Sequence, residues 1–153
     1  QADVLSIYSD TYTGTDPTSW RQDWGNGTLE DDLVIGENTI KVYSNLVFQA
    51  VGLASTVDLT PYTMVHIDVY TTTENVFKFK MADFGADDAD EYPNVDDTES
   101  EVESTTTQAA GVWVGHDIPL SSFTTLGSMT NLGSLQVILG TKGNVWLDNI
   151  YFY

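Results

Sequence analysis

Asn144-Val145-Trp146-Leu147-Asp148-Asn149-Ile150-Tyr151-Phe152-Tyr153 closes the chain, and the reading of this stretch decides the fold. Val, Ile, Tyr, Phe and Trp suit a pleated, half-buried surface, so the run is a β-strand. A strand at a chain end is ordered only when it pairs within a sheet. Asp148 interrupts an otherwise apolar run, and a carboxylate on a core strand is costly unless a cation or hydrogen-bond donors satisfy it.

Outward from that run, the chain is a series of short β-like segments separated by turn residues, with no convincing amphipathic helix. Val4 to Tyr8, Thr39 to Tyr43, Leu46 to Val51, Met64 to Tyr70, Val76 to Phe84, Val112 to Ile118 and Gln136 to Leu139 are the further strand candidates. Gly and Asn between many short strands imply an antiparallel β-sandwich or barrel. No break in composition marks a second domain, so residues 1–153 read as one domain large enough to bury a core.

Twenty-three acids against five bases give a formal charge of −18. Nucleic acid and anionic membrane surfaces need basic patches, which leaves neutral or cationic ligands and divalent metals as partners. No apolar run approaches the roughly 20 residues of a membrane span, and no charged-then-apolar leader opens the sequence. Membrane insertion is therefore not expected. Without cysteine, disulfides and thiolate metal sites are ruled out.

The alternation in Val65-His66-Ile67-Asp68-Val69-Tyr70 and in Val76-Phe77-Lys78-Phe79-Lys80-Met81 suggests a hairpin closed by the loop Thr71 to Asn75. Val69 would face Phe77 and Ile67 would face Phe79, which puts Asp68 opposite Lys78 and His66 opposite Lys80 on one outward strip. That strip is either a solvated face with weak ion pairs or part of a polar ligand groove.

Trp20 and Trp24 lie four apart in a polar segment, with Arg21, Gln22 and Asp23 between them. Flat aromatic surface beside planar hydrogen-bonding groups is what a sugar ring requires. At least one of the two indoles should be exposed, whereas Trp113 and Trp146, within apolar strands, should be core. The expected ligand contacts are Trp20, Trp24 and Tyr70 for stacking, with Arg21, Gln22, His66, Asp68 and Lys80 for hydroxyls. Catalysis has less to work with. The glutamates lie in turns or in the acidic segment 87–103, and the histidines have no nucleophile elbow or zinc spacing nearby. The nine acids of segment 87–103 read as a solvated loop or, more sharply, as a cation site, although they lack the spacing of an EF-hand loop.

Trp113-Val114-Gly115-His116-Asp117-Ile118-Pro119-Leu120-Ser121-Ser122-Phe123, closing on Leu147-Asp148-Asn149-Ile150-Tyr151-Phe152, resembles the jelly-roll carbohydrate-binding modules of secreted bacterial polysaccharide-degrading enzymes. The likeness continues through Leu5 to Tyr12, Tyr43 to Leu46, His66 to Tyr70 and Phe77 to Asp87, and is to modules of β-glucanase-type enzymes. It implies a two-sheet antiparallel jelly roll, a structural Ca²⁺ and no catalysis. The implied role is to bind a polysaccharide or oligosaccharide as part of a larger multidomain carbohydrate-active protein, secreted or at the cell surface. Asp148 in its apolar strand, Asp10 where the first strand becomes a loop, and Glu37 in the Gly36-Glu37-Asn38 turn are the expected calcium ligands. The competing readings are a spacer sandwich without a ligand and, less favoured, a small jelly-roll glycoside hydrolase or lyase.

Overall fold

The computed structural model describes residues 4–15, 17–90 and 96–153, so Glu91 to Val95 of the acidic segment lie outside the described residues. Among the described residues ten strands follow one another: β1 (Leu5–Tyr8), β2 (Pro17–Ser19), β3 (Thr28–Leu29), β4 (Leu33–Ile35), β5 (Asn38–Val57), β6 (Met64–Thr71), β7 (Phe77–Asp83), β8 (Thr98–Glu103), β9 (Trp113–Pro119) and β10 (Leu132–Phe152). A single 3₁₀ turn, Leu120–Ser122, is the only helical element among the described residues. All strand pairs are antiparallel.

The long strands β5 and β10 each serve both layers of a jelly-roll sandwich. Their inner halves, around Phe48 to Gly52 and Ser134 to Ile138, pair with one another. With β2, β7 and β8 they form the first sheet, in the order β2-β5-β10-β7-β8. Past an irregular stretch between Ile138 and Gly143, the C-terminal half of β10 pairs with the start of β5, with β1 and with β6, and β6 pairs with the edge strand β9. This is the second sheet. The closing aromatic run thus has neighbours on both sides, which explains how a terminal segment is held.

Between the sheets lies one core. Phe77, Phe79 and Met81 of β7, Leu135, Val137 and Leu139 of β10, and Val51 of β5 meet Val65, Ile67 and Val69 of β6 and Leu147 and Phe152 of β10. The strict alternation of β6, intermediate and buried in turn, is the period-two pattern of a strand with one face in the core.

The expected β6–β7 hairpin does not form. β6 pairs with β9 and β10, and β7 pairs with β8 and β10, so Asp68 and Lys78 belong to opposite sheets. The connection crosses the end of the sandwich, where Asn75 is pinned by its Nδ2 donating to Thr141 O (2.9 Å) and its backbone N donating to Gln108 O (3.0 Å). Alternation reports only that one face of each strand meets the core. Two strands facing each other across a core carry the same signature as two that pair.

β8 is a further departure: six residues of the acidic segment, Thr98–Glu103, form the edge of the first sheet. Their carboxylates are tolerated because Lys78 and Lys80 stand on the neighbouring strand.

Candidate functional site

The outward face of the first sheet follows from register. Opposite residues point the same way, so Phe48, Ile138 and Lys78 form one row, and Ala50, Gln136, Lys80 and Glu101 the next. Gly52, Ser134, Ala82 and Glu99 form a third. Small residues at Ala50, Gly52, Ala82 and Ser134 leave a shallow trough across three strands. Phe48 and Ile138 stand at one end of it.

Trp24 rises over that end. Its indole is 50% exposed and stacks on Phe48, with ring centroids 6.0 Å apart and planes 27° apart. The loop carrying it is fixed along the edge of β5. Asn26 N donates to Phe48 O (3.0 Å), and Asn26 Oδ1 accepts from Val47 N (2.8 Å) and Phe48 N (2.9 Å). Gly25 N donates to Gln22 O (3.0 Å), and the same carbonyl accepts Gln49 Nε2 (3.0 Å) from the buried side of the strand. A Cβ at Gly25 would lie 2.1 Å from Gln49 Oε1, so only glycine allows this turn to close down. Gln22 extends its amide over Gly52, whose missing Cβ would sit 2.5 Å from Gln22 Nε2. Such a loop would meet any ligand already ordered, which would limit the entropy lost on binding.

The lysines at the far side of the trough are paired. Lys78 Nζ bonds Glu101 Oε1 at 2.8 Å, and Lys80 Nζ bonds Glu99 Oε2. Two groups on this face went unseen in the sequence. Gln136 is 4% exposed and Ser134 6% exposed, and among the described residues neither side chain makes a hydrogen bond. Both look like ordinary strand residues in the sequence, and only the neighbouring rows show that no protein partner reaches them.

The expected ligand residues are divided between two faces. Trp24, Gln22 and Lys80 belong to the trough, and Arg21 is exposed in the same loop. Trp20 turns instead to the open edge of the sandwich. It meets Tyr8 edge-on at 5.0 Å, lies under Lys41 Nζ at 5.0 Å and packs against the core. His66, Asp68 and Tyr70 point out from the second sheet, on the other side of the molecule. There Tyr70 lies between Trp113 (5.7 Å) and Trp146 (5.3 Å). Neither indole is core as expected. Trp113 is 45% exposed and Trp146 half-buried, because both fall on the outward phase of their strands.

Beyond these rings runs a hydrogen-bonded chain. His66 Nδ1 meets Asp117 Oδ1 at 2.7 Å and His66 Nε2 meets Asp68 Oδ1 at 3.3 Å. Asn149 Nδ2 donates to Asp68 Oδ2 (2.9 Å), and Tyr153 OH donates to Asp117 Oδ1 (3.2 Å). The bond to Asp68 raises the His66 pKa against the opposing effect of burial, and the same bond lowers that of Asp68. Asp68 is therefore met by His66 and Asn149, not by Lys78.

Asp148 is buried and receives two donors, Asn38 Nδ2 at 2.8 Å and Asn149 N at 2.7 Å. Burial pushes its carboxyl pKa up, and the charge of Asp10 adds to the rise. Asp10 accepts Thr39 N at 2.5 Å, so the end of β1, the start of β5 and the closing strand are tied together here. Carboxylate and asparagine oxygens are the hard donors Ca²⁺ takes, so the residues fit that ion in kind. Glu37 stays exposed in its turn, and no cluster of three or more His, Asp or Glu forms among the described residues. The pair Asp10 and Asp148, with the Asn38 amide oxygen, would hold the ion, and carbonyls or water would complete its shell.

No protein-family model and no curated protein matches the sequence. Solved structures share the fold. A family 11 carbohydrate-binding module from Clostridium thermocellum, in complex with a β-1,3-1,4-mixed-linked tetrasaccharide, aligns with TM-score 0.65 at 14% identity over 97% of this chain and 94% of its own. The family 30 module of the cellulosomal cellulase Cel9D-Cel44B of the same organism aligns with TM-score 0.62 at 11% identity over 99% and 97%.

Proposed function

We propose that this chain is a noncatalytic carbohydrate-binding module that takes a neutral β-glucan-type polysaccharide on the outward face of its first sheet. The observation that carries the reading is Trp24: an indole half exposed, stacked on Phe48 and held by a loop whose backbone is already satisfied. Exposing that much aromatic surface is costly in water and is repaid by the apolar face of a sugar ring. Arg21, Gln22 and Lys80 supply polar contacts around it. His66, Asp68 and Tyr70 belong to a separate surface and have no part in this platform.

Two further points support the reading. The mixed-linked β-glucan bound by a module of the same fold is a neutral polymer. The two lysines of the face are matched by glutamates, which leaves Arg21 of the Trp24 loop as the cation there without an ion pair among the described residues. As a module in a larger secreted protein, the domain would raise the concentration of an attached or partner enzyme at its polymer, where even modest affinity is useful. Calcium held by Asp10 and Asp148 would serve structure and not binding, since these residues lie on the other sheet. Affinity electrophoresis in gels containing soluble β-glucan, xylan, galactan or alginate tests the proposal. Retardation by β-glucan is expected, and no retardation in any gel would favour a spacer domain.

A further inference from the structure

Gln136 and Ser134 stand two apart on one strand and point to the same face. Each is more than nine-tenths buried, each projects from β10 into the trough, and neither is hydrogen-bonded among the described residues. The polar atoms of both side chains keep a small opening to solvent, so in the free protein water meets their hydrogen-bonding capacity. Water in that narrow opening is exchangeable for a ligand hydroxyl, which offers the same donor and acceptor.

The surroundings define that partner. Gln136 lies between Ala50 and Lys80, and Ser134 between Gly52 and Ala82, so three of the four flanking residues are small, and the Gln22 amide reaches in over Gly52. An amide offers both a donor and an acceptor, and so does a hydroxyl. Sugar hydroxyls have the same double character. The cations nearest to hand, Lys80 and Lys78, are held by Glu99 and Glu101. A carboxylate brought beside Gln136 would face those glutamates, while the unpaired guanidinium of Arg21 belongs to the Trp24 loop on the β5 side of the trough.

We propose that Gln136, assisted by Ser134, reads the hydroxyls of an uncharged sugar unit seated in the trough, and that this pair selects neutral glycans against polyuronates. The inference rests on the carbohydrate-binding reading above. Trp24 supplies stacking to any ring of the right shape; Gln136 supplies the hydrogen bonds that depend on the hydroxyl pattern. A site built to hydrogen-bond a substrate penalises ligands that leave its polar groups unpaired.

The test uses Gln136→Leu, Ser134→Ala and Trp24→Ala, titrated with oligosaccharides of mixed-linked β-glucan and of alginate, with a melting curve for each protein. Gln136→Leu should weaken β-glucan binding about tenfold, the loss of one or two hydrogen bonds. Its melting temperature should stay close to that of the parent, because the amide makes no bond within the protein; a structural glutamine would give a lower one. Ser134→Ala should weaken binding about threefold on the same argument. If the parent binds β-glucan, Trp24→Ala loses it and Gln136→Leu binds as the parent does, the inference is overturned while the function stands. Alginate binding at least as tight as β-glucan overturns the choice of neutral chains. A fall in melting temperature for Gln136→Leu also overturns it, by returning the residue to the fold. A parent that retains neither sugar removes the function itself.

Discussion

The two outward faces of the sandwich both carry exposed tryptophan, yet their polar groups are in opposite states. On the second sheet the chain from Tyr153 through Asp117, His66 and Asp68 to Asn149 is hydrogen-bonded link by link. Asp148 beside it has a donor on each oxygen. A ligand there would have to displace bonds the protein already makes. On the first sheet the side chains of Gln22, Gln136 and Ser134 have no protein partner among the described residues, and the aromatic platform stands next to them. Exposed aromatic area alone does not mark a binding face; aromatic area beside unmet hydrogen-bonding capacity does.

The largest expected effect sharpens the contrast between the satisfied sheet's outer and inner sides. His66 and His116 face opposite ways on adjoining strands. His116 is buried, with Ser104 Oγ at 2.7 Å from Nδ1 and Gln108 Oε1 at 2.9 Å from Nε2, and burial lowers its pKa to about 4. Below pH 6.5 the unfolded chain binds a proton there that the folded chain refuses. Stability from this group is therefore complete above that pH and is lost as pH falls towards 4, by about 3 kcal/mol at about 1.4 kcal/mol per unit. His66 has the opposite sign: its raised pKa adds stability at low pH that fades as pH rises through the folded value. Urea midpoints from pH 7.5 to 4.5 should fall more steeply for the parent than for His116→Gln. His66→Gln should lose its difference from the parent towards the alkaline end. Equal slopes for the parent and His116→Gln would remove the buried neutral imidazole from the account.

Second in size is a direct attempt to break the comparison. Trp24→Ala should cost about 1–3 kcal/mol of β-glucan affinity, the range of an aromatic hot spot, and leave the fold intact because the indole lies outside the core. Trp113→Ala, although its indole is almost as exposed, should leave retention within a factor of two. A larger loss for Trp113 than for Trp24 in the same gel would reverse the assignment of faces.

The sequence disclosed a great deal of the fold and only part of the site, and the division has a physical cause. Aromatic and β-branched runs with period two identify strands, and β6, β7, β9 and the closing run stand close to where that signal puts them. The same signal says nothing about which strands pair, so the His66 and Lys80 strands were placed side by side when they stand on opposite sheets. It also cannot phase a tryptophan, and Trp113 and Trp146 proved to face outward. The exposure of Trp24 was legible because its neighbours are polar. The outward placement of Gln136 was not, since an amide without a protein partner is defined by what fails to surround it, and β8 was hidden because its carboxylates are acceptable only beside lysines distant in sequence.

The smallest expected effect concerns the tie between the ends of the chain. Asp148 already has two hydrogen-bond donors, so a cation is not needed to make its burial tolerable, and the gain from one should be modest. What the donors do not relieve is the repulsion from Asp10, which helps to raise the Asp148 pKa. A divalent ion between the two would reverse that repulsion and bind only the folded state, adding about 1.4 kcal/mol when free calcium is about ten times its Kd. Calcium should therefore raise the melting temperature by a few degrees and EDTA should return it. Asp148→Asn should abolish the response, while Glu37→Gln, in an exposed turn outside the pair, should retain it. β-Glucan affinity below the melting point should stay the same throughout, because the trough is on the other sheet. A parent whose melting is indifferent to calcium would leave Asn38 and the Asn149 amide as the whole explanation of Asp148. Calcium-dependent glucan binding would instead show that the two faces are coupled.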